Sequence, residues 1–272
     1  MTMLNTRLHY CLLLLPGLLL AQPKTQINSI GMEFVLVPAG SFVMGKFEPT
    51  CAPAGLQGNV TESQAAECLK MAKAAARPGF HAVIPKPFYI AKFEVTQEQY
   101  QKVMGKNPSY FTQNKVGGPS DKYPVDSVTW KDAQAFIQKL NAMGKTKAYR
   151  LPTEVEWEYA ARAGTEDETQ GAKRQEVAWY MNNSGYVTHP VGQKAPNAWG
   201  LYDMLGNVWE WVEDWYDEQV QPSGPKGPAS GKQHVLRGGA FSAHEKNVRV
   251  FVHAGGPGSV INTGFRVVRT AQ

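Results

Sequence analysis

From residue 165 to its end the chain sustains no long helical period. Short apolar segments alternate there with Gly, Pro and Asn, the punctuation of turns and brief strands. Upstream, three segments carry helix-start signals, so helices and strands are segregated rather than alternating. That arrangement excludes a doubly wound parallel sheet, and no repeat period is present. The expectation is an α+β fold with little regular secondary structure and long irregular loops. Composition agrees: charged residues make up 19% of the 272, while Gly (26), Pro (18) and Trp (7) are plentiful, which suits a loop-rich globular chain.

The upstream elements can be placed more closely. "GMEFVLVPAGSFVMG" (31–45) reads as strand, turn and strand. Residues 46–84 read as an insertion, polar and Ala-rich, with a short helix starting at Thr61. "PFYIAKFEVTQEQYQKVMG" (87–105) begins as a strand and becomes a helix, with Thr96 and Gln99 spaced as a capping box. A second helix is capped by Thr129 or Ser127, buries Ala133, Phe136, Ile137 and Leu140, and stops at Gly144. A third starts at Thr153, with Glu156 completing its capping box, and stops at Gly164.

Residues 1–21 read as an export signal: Arg7 in a positive head, then the apolar "YCLLLLPGLLLA", with cleavage after Ala21. The remaining residues 22–272 form one domain, and export implies a periplasmic location with no membrane attachment after cleavage. Losing Arg7 lowers the formal charge from +5 to +4, and no Lys/Arg cluster remains that would suit nucleic acid. Cys51 and Cys68 remain, and in an exported chain they are expected to pair, contributing roughly 3 kcal/mol by loop closure. A redox or metal pair is the alternative, but no His or third Cys lies at ligand spacing nearby.

The segment "GLYDMLGNVWEWVEDWY" (200–216) mixes three tryptophans with the acids Asp203, Glu210, Glu213 and Asp214. A core strand would not carry the acids, and a solvated helix would not carry the rings. Together with "FEVTQEQYQKV", "PVDSVTWKDAQAF", "YRLPTEVEWEYAARAG", "LRGGAF" and "TGFRVVR", in that order, it resembles the formylglycine-generating-enzyme (sulfatase-modifying factor) family. The resemblance covers about residues 30–270 apart from the insertion. It implies the compact α+β fold of that family, related to C-type lectins. It also implies a structural calcium held by Asp203, the carbonyls of Gly206 and Val208, and Glu210; hard oxygen donors suit that ion. Capped turns and bound water are the alternative. A second calcium site would lie near Asn183 and Ser184, where the loop is shorter and lacks the family's aspartate. Trp209 matches a tryptophan beside the family's oxygen pocket and equally suits a packing role.

One departure changes the expected chemistry. The catalytic members hold copper through two cysteines after the GG motif, and soft thiolates suit cuprous ion. Here those positions carry Ala243 and Val248, and a nearby family serine falls on Ala240. No copper is therefore expected. A second branch binds iron through an HxxxH pattern, which does not occur among this chain's histidines. What replaces the cysteines is "SAHEKN": His244 and Glu245 are the candidate acid/base pair, Ser242 and Trp209 the candidate substrate contacts, and Arg249 a candidate anchor for an acidic group. Arg249, Arg266 and Arg269 could equally buttress the core. The exported, cysteine-poor pattern resembles the periplasmic pyoverdine-maturation branch. It implies a peptide siderophore precursor as partner, oxidation of its dihydro-chromophore as reaction, and other periplasmic maturation enzymes as neighbours. The redox acceptor is left open. A non-catalytic, calcium-stabilised binding module is the main alternative, and a regulatory partner domain is a third.

Overall fold

The computed structural model describes residues 24–45, 61–75, 79–217, 227–256 and 260–271. The leader, Cys51 and the side chain of Cys68 lie outside the described residues. No described helix is long and apolar enough to cross a membrane.

Residues 25–177 supply four strands of a five-stranded sheet, a separate hairpin and the helices. Strands β1 (Thr25–Ile27) and β2 (Glu33–Val37) are followed by β3 (Gly40–Met44), helix α1 (Glu62–Ala75), β4 (Phe80–Ile84) and β5 (Phe88–Ala91). Helices α2 (Gln97–Met104), α3 (Gln113–Val116) and α4 (Trp130–Met143) come next, then β6 (Tyr149–Arg150), α5 (Glu154–Arg162) and α6 (Arg174–Val177). The three capped helices stand where the sequence places them. Each of α2, α4 and α5 carries a complete capping box, on Thr96, Thr129 and Thr153. Thr129, not Ser127, caps α4. The short α3 and α6 were not legible, being single turns without a period of their own.

The expected insertion is too long at its C-terminal end. Met44 pairs with Phe80 and Gly40 with Ile84, so residues 80–84 are an antiparallel partner of β3. The inserted segment therefore hangs from a hairpin.

The second half is mostly strand and loop: β7 (Ala178–Trp179), β8 (Leu205–Gly206), β9 (Trp209–Trp215), β10 (His234–Arg237), β11 (His253–Gly255), β12 (Thr263–Phe265) and β13 (Val268–Thr270). β13 inserts between β5 and β6, giving a five-stranded sheet in the order β1-β2-β5-β13-β6. A four-stranded sheet runs β11-β10-β9-β12, with β9 and β12 parallel.

Strand β9 explains the mixture of rings and acids. Alternate side chains of a strand point to opposite faces. Even positions reach α5: Trp157 Nε1 donates to Glu210 at 2.7 Å, and the Glu154 N–H donates to Asp214 at 2.6 Å. Odd positions reach α4 and the turn before it: Trp211 Nε1 donates to Val128 O at 2.9 Å, Gln134 donates to Glu213 at 2.8 Å, and Trp215 stacks near Trp130. The acids meet helix termini, indoles and amides, and the rings fill the other interface. A strand clamped between two helices needs both.

Candidate functional site

Beneath the 203–210 loop lies a fully buried charge cluster. Glu94, at the end of the first sheet, accepts from Asn207 Nδ2 (2.7 Å) and from the Val208 N–H (3.1 Å). Arg266, from the TGFR segment, donates through Nε and Nη2 to the two oxygens of Glu210, at 2.7 and 2.5 Å. It also donates to the carbonyls of Ala91, Tyr202 and Asp203. Asp203 accepts from the Gly192 N–H at 2.6 Å through Oδ2, while its buried Oδ1 has no partner.

Three carboxylates thus surround one guanidinium in a buried site. Burial, helped by the charges of Asp203 and Glu210, pushes the Glu94 carboxyl well above the ordinary range. Burial likewise pushes Asp203 up to about 6, against the pull of the Gly192 N–H and Arg266.

This cluster bears on the calcium expectation. The orphaned Oδ1 of Asp203 and the surplus of buried negative charge fit a hard cation. Glu210 is already oriented by Arg266 and Trp157, but each carboxylate oxygen keeps a further lone pair. Of the expected ligands, Asp203 and Glu210 offer the hard oxygen donors that calcium takes, Asp203 through an oxygen without a partner. At the second expected site Asn183 Oδ1 accepts from the Tyr180 N–H at 2.8 Å and its Nδ2 donates to Ala178 O at 2.9 Å. The amide thus closes a turn, and its oxygen keeps one lone pair. Among the described residues no group of three or more His, Cys, Asp or Glu side chains is placed to hold a metal.

The 238–248 loop carries the positions that the resemblance assigns to the family thiols. Gly239 has φ +82°, and a Cβ there would sit 2.9 Å from Asn247 O, so the loop doubles back only because this residue lacks one. The Phe241 N–H donates to Asn207 O at 2.8 Å, and Ser184 Oγ donates to Phe241 O at 2.7 Å. Ala243 and Val248 are both buried, Val248 wholly. A methyl and an isopropyl group occupy the thiol positions, and neither ligates a metal.

Trp209, Ser242 and Asn262 are brought together here. The Trp209 N–H donates to Asn262 O at 2.8 Å, and Asn262 Nδ2 donates to Ser242 Oγ at 3.1 Å. The Trp209 ring packs partly buried against Phe111, Ala240 and Phe241. Asn262 was not legible as a site residue. Its only signal was its place just before the TGFR motif.

His244 and Glu245 are exposed on a 3-10 turn over Glu245–Asn247, with Glu245 4.0 Å from Arg174. Arg249 is not a free anchor. It is 7% exposed and ion-paired with Glu168 at 3.5 Å, and burial lowers its pKa. Arg174 shares Glu168 at 3.0 Å, so Arg249 buttresses the loop from within.

A family model described as "Sulfatase-modifying factor enzyme 1-like domain" matches residues 20–271. The chain belongs to this family. It is 28% identical to the formylglycine-generating enzyme of Thermomonospora curvata over 270 residues, 82% of this chain and 87% of the enzyme. Among solved structures, Treponema denticola variable protein 1 superposes with a TM-score of 0.70 at 28% identity, covering 91% of this chain and 99% of that one. PvdO from Pseudomonas aeruginosa superposes with a TM-score of 0.69 at 24% identity, covering 92% and 99%. This likeness is one of fold. The chain spans only 34% and 65% of the length of two other curated relatives that it matches. As a sulfatase-modifying-factor domain it has the α+β architecture expected of it.

Proposed function

We propose that this chain is a periplasmic maturation factor for a peptide siderophore of the pyoverdine type, acting with other exported maturation enzymes. The observation that carries this reading is a cluster that sets Trp209 beside a polar pair, Ser242 with Asn262, and has the buried methyl and isopropyl groups of Ala243 and Val248 in the same loop. Such a cluster suits a flat, hydroxylated ring better than a cysteine peptide. The fold likeness to PvdO supports the same reading.

The reaction is the removal of two hydrogens from the dihydro-chromophore. Two electrons and two protons leave the precursor; with dioxygen as acceptor they appear as hydrogen peroxide. His244 and Glu245, at the edge of the loop, carry the proton. Trp209 and Ser242 hold the ring. The test is a mass and absorption spectrum of the exported siderophore pool with and without the gene. A non-fluorescent species two hydrogens heavier is the expected accumulation, and an unchanged pool would overturn the reading. Glu245→Gln is expected to abolish product while leaving thermal unfolding unchanged; full turnover in that variant would remove Glu245 from the mechanism.

A second reading, a binding module without turnover, is favoured by the exposure of His244 and Glu245. Saturable binding of purified precursor with no oxidation under air would establish it.

For either reading we propose a structural calcium, held by the carboxylates of Asp203 and Glu210 and the carbonyls of Gly206 and Val208. It would offset the buried negative charge and fix the loop that carries Trp209. Calcium at about 100 times its Kd should add about 2.7 kcal/mol of stability. Asp203→Asn should remove that response, and an identical Tm in calcium and in chelator would refute the site. Chelated protein should also lose stability as pH rises. Asp203 is raised in the fold, so its contribution is complete below its ordinary pKa of 3.8 and is lost through about 6.

A further inference from the structure

At the far end of β9 a second cavity opens, of about 390 Å³, lined by Trp130, Trp211, Trp215 and His234, with Lys131 and Lys232 among the remaining walls. None of Trp209, Ser242 and Asn262 lines it, so it is distinct from the cluster described above. Its size is within the about 300–1,000 Å³ usual for small-molecule sites.

The wall is unusual in its order. The His234 imidazole stacks on Trp130 with centroids 3.8 Å apart and planes 2° from parallel, and on Trp215 at 3.8 Å and 25°. Trp130 Nε1 is fixed by Val212 O at 2.9 Å. His234 Nδ1 lies 3.2 Å from the carbonyls of Glu213 and Asp214. Two acceptors at Nδ1 require it to carry the proton, which leaves Nε2 as the acceptor of the neutral ring. Trp130 and Trp215 stay half-buried, although indoles of this size normally bury more fully in a core. The cations are at the edge: Lys131 and Lys232 are exposed, and the N-terminal turn of α4, capped by Thr129, adds its partial positive charge.

We propose that this cavity is a second ligand site, for a planar aromatic acid. The ring packs against the indoles that line the cavity, held in place by His234 wedged between Trp130 and Trp215, and the carboxylate is held by Lys131 and Lys232. The stacked wall selects flatness, because offset or edge-on ring contacts need a planar partner. The lysine pair selects negative charge. The site stands independently of any reaction at the Trp209 cluster.

The test uses the whole mature chain, with indole-3-acetate and its neutral analogue indole-3-acetamide as probes, followed by the tryptophan indole N–H signals in heteronuclear NMR. Indole-3-acetate should bind saturably and shift Trp130 and Trp215, leaving Trp157, Trp179 and Trp199 unmoved. The amide should bind roughly fivefold more weakly, as the loss of partly exposed ion pairs predicts. Lys131→Ala with Lys232→Ala should bring the acid down to the level of the amide and leave the amide unchanged. These two exposed lysines can be removed without touching the stacked wall, so a folding defect does not confuse the result. A short peptide ending in tryptophan provides a second arm. Tighter binding of the peptide assigns a chain terminus as the natural ligand, and tighter binding of indole-3-acetate assigns a free acid. Absence of saturation, shifts confined to Trp209, or equal affinity of the double variant for indole-3-acetate would each overturn the proposal.

Discussion

Replacing Arg266 by methionine is expected to cost about 3–5 kcal/mol, the usual penalty for stranding a buried charge by removing its partner. The guanidinium is fully buried and donates to Glu210 and to three carbonyls from two separate segments. Without it Glu210 keeps only the Trp157 indole, and Glu94 and Asp203 lose their nearest positive charge. The measurement is urea unfolding, where the midpoint should fall with little change in slope. The deficit should shrink on acidification, because carboxyls with raised pKa values take up protons in the fold before they do in the unfolded chain. Arg266→Lys should recover only part of the loss, since an ammonium lacks the planar fork that spans both oxygens of Glu210. A loss below about 1 kcal/mol for Arg266→Met would show that water enters the cluster and that its burial is not as described.

Gly206→Ala is expected to be as damaging, for a reason of space. Gly206 has φ +81°, and a Cβ there would meet the backbone of Trp179, 2.2 Å from its carbonyl oxygen and 2.8 Å from its nitrogen. No side chain can swing aside to relieve this. The parallel pair of Trp179 with Gly206 must open, and with it the bond from the Asn207 N–H to Trp179 O at 2.8 Å. Asn207 is also the residue that ties Glu94 to the His189 segment. A loss above about 3 kcal/mol is expected, of the size that marks a backbone collision rather than a lost contact. Thermal unfolding decides it, and a Tm within about 2 °C of the parent would mean that the two short strands are not required.

The helices and their caps were legible because their signals are local: a Thr, an acid or amide three residues on, and an apolar stripe. The fold family was legible because its motifs follow one another in order. The charge cluster was legible only in part. Asp203 and Glu210 stood out among aromatic residues, but Glu94 is a single acid between β5 and α2, and its partner Asn207 is 113 residues away. No sequence window joins them. For Arg249 the sequence leaves anchor and buttress both open, and the partner that the structure places beside it, Glu168, lies in a distant loop. His234 carried no local signal at all. Its meaning comes from Trp130, on a helix that precedes it by a hundred residues, and from Trp215 across the bulged β9–β10 pair.

The place of β13 sets the order in which the domain can form. Val268–Thr270 fills the gap between β5 and β6, and Thr263–Phe265, just before it, forms the edge beside β9. A nascent chain that has reached residue 262 therefore has helices with sound caps but two unclosed sheets, and it still lacks Arg266 to neutralise three carboxylates. Its contacts are of high order, and the loop-closure entropy falls due before the reward arrives. Such a chain should stay open until its last strand is available and then close both sheets and the charge cluster together.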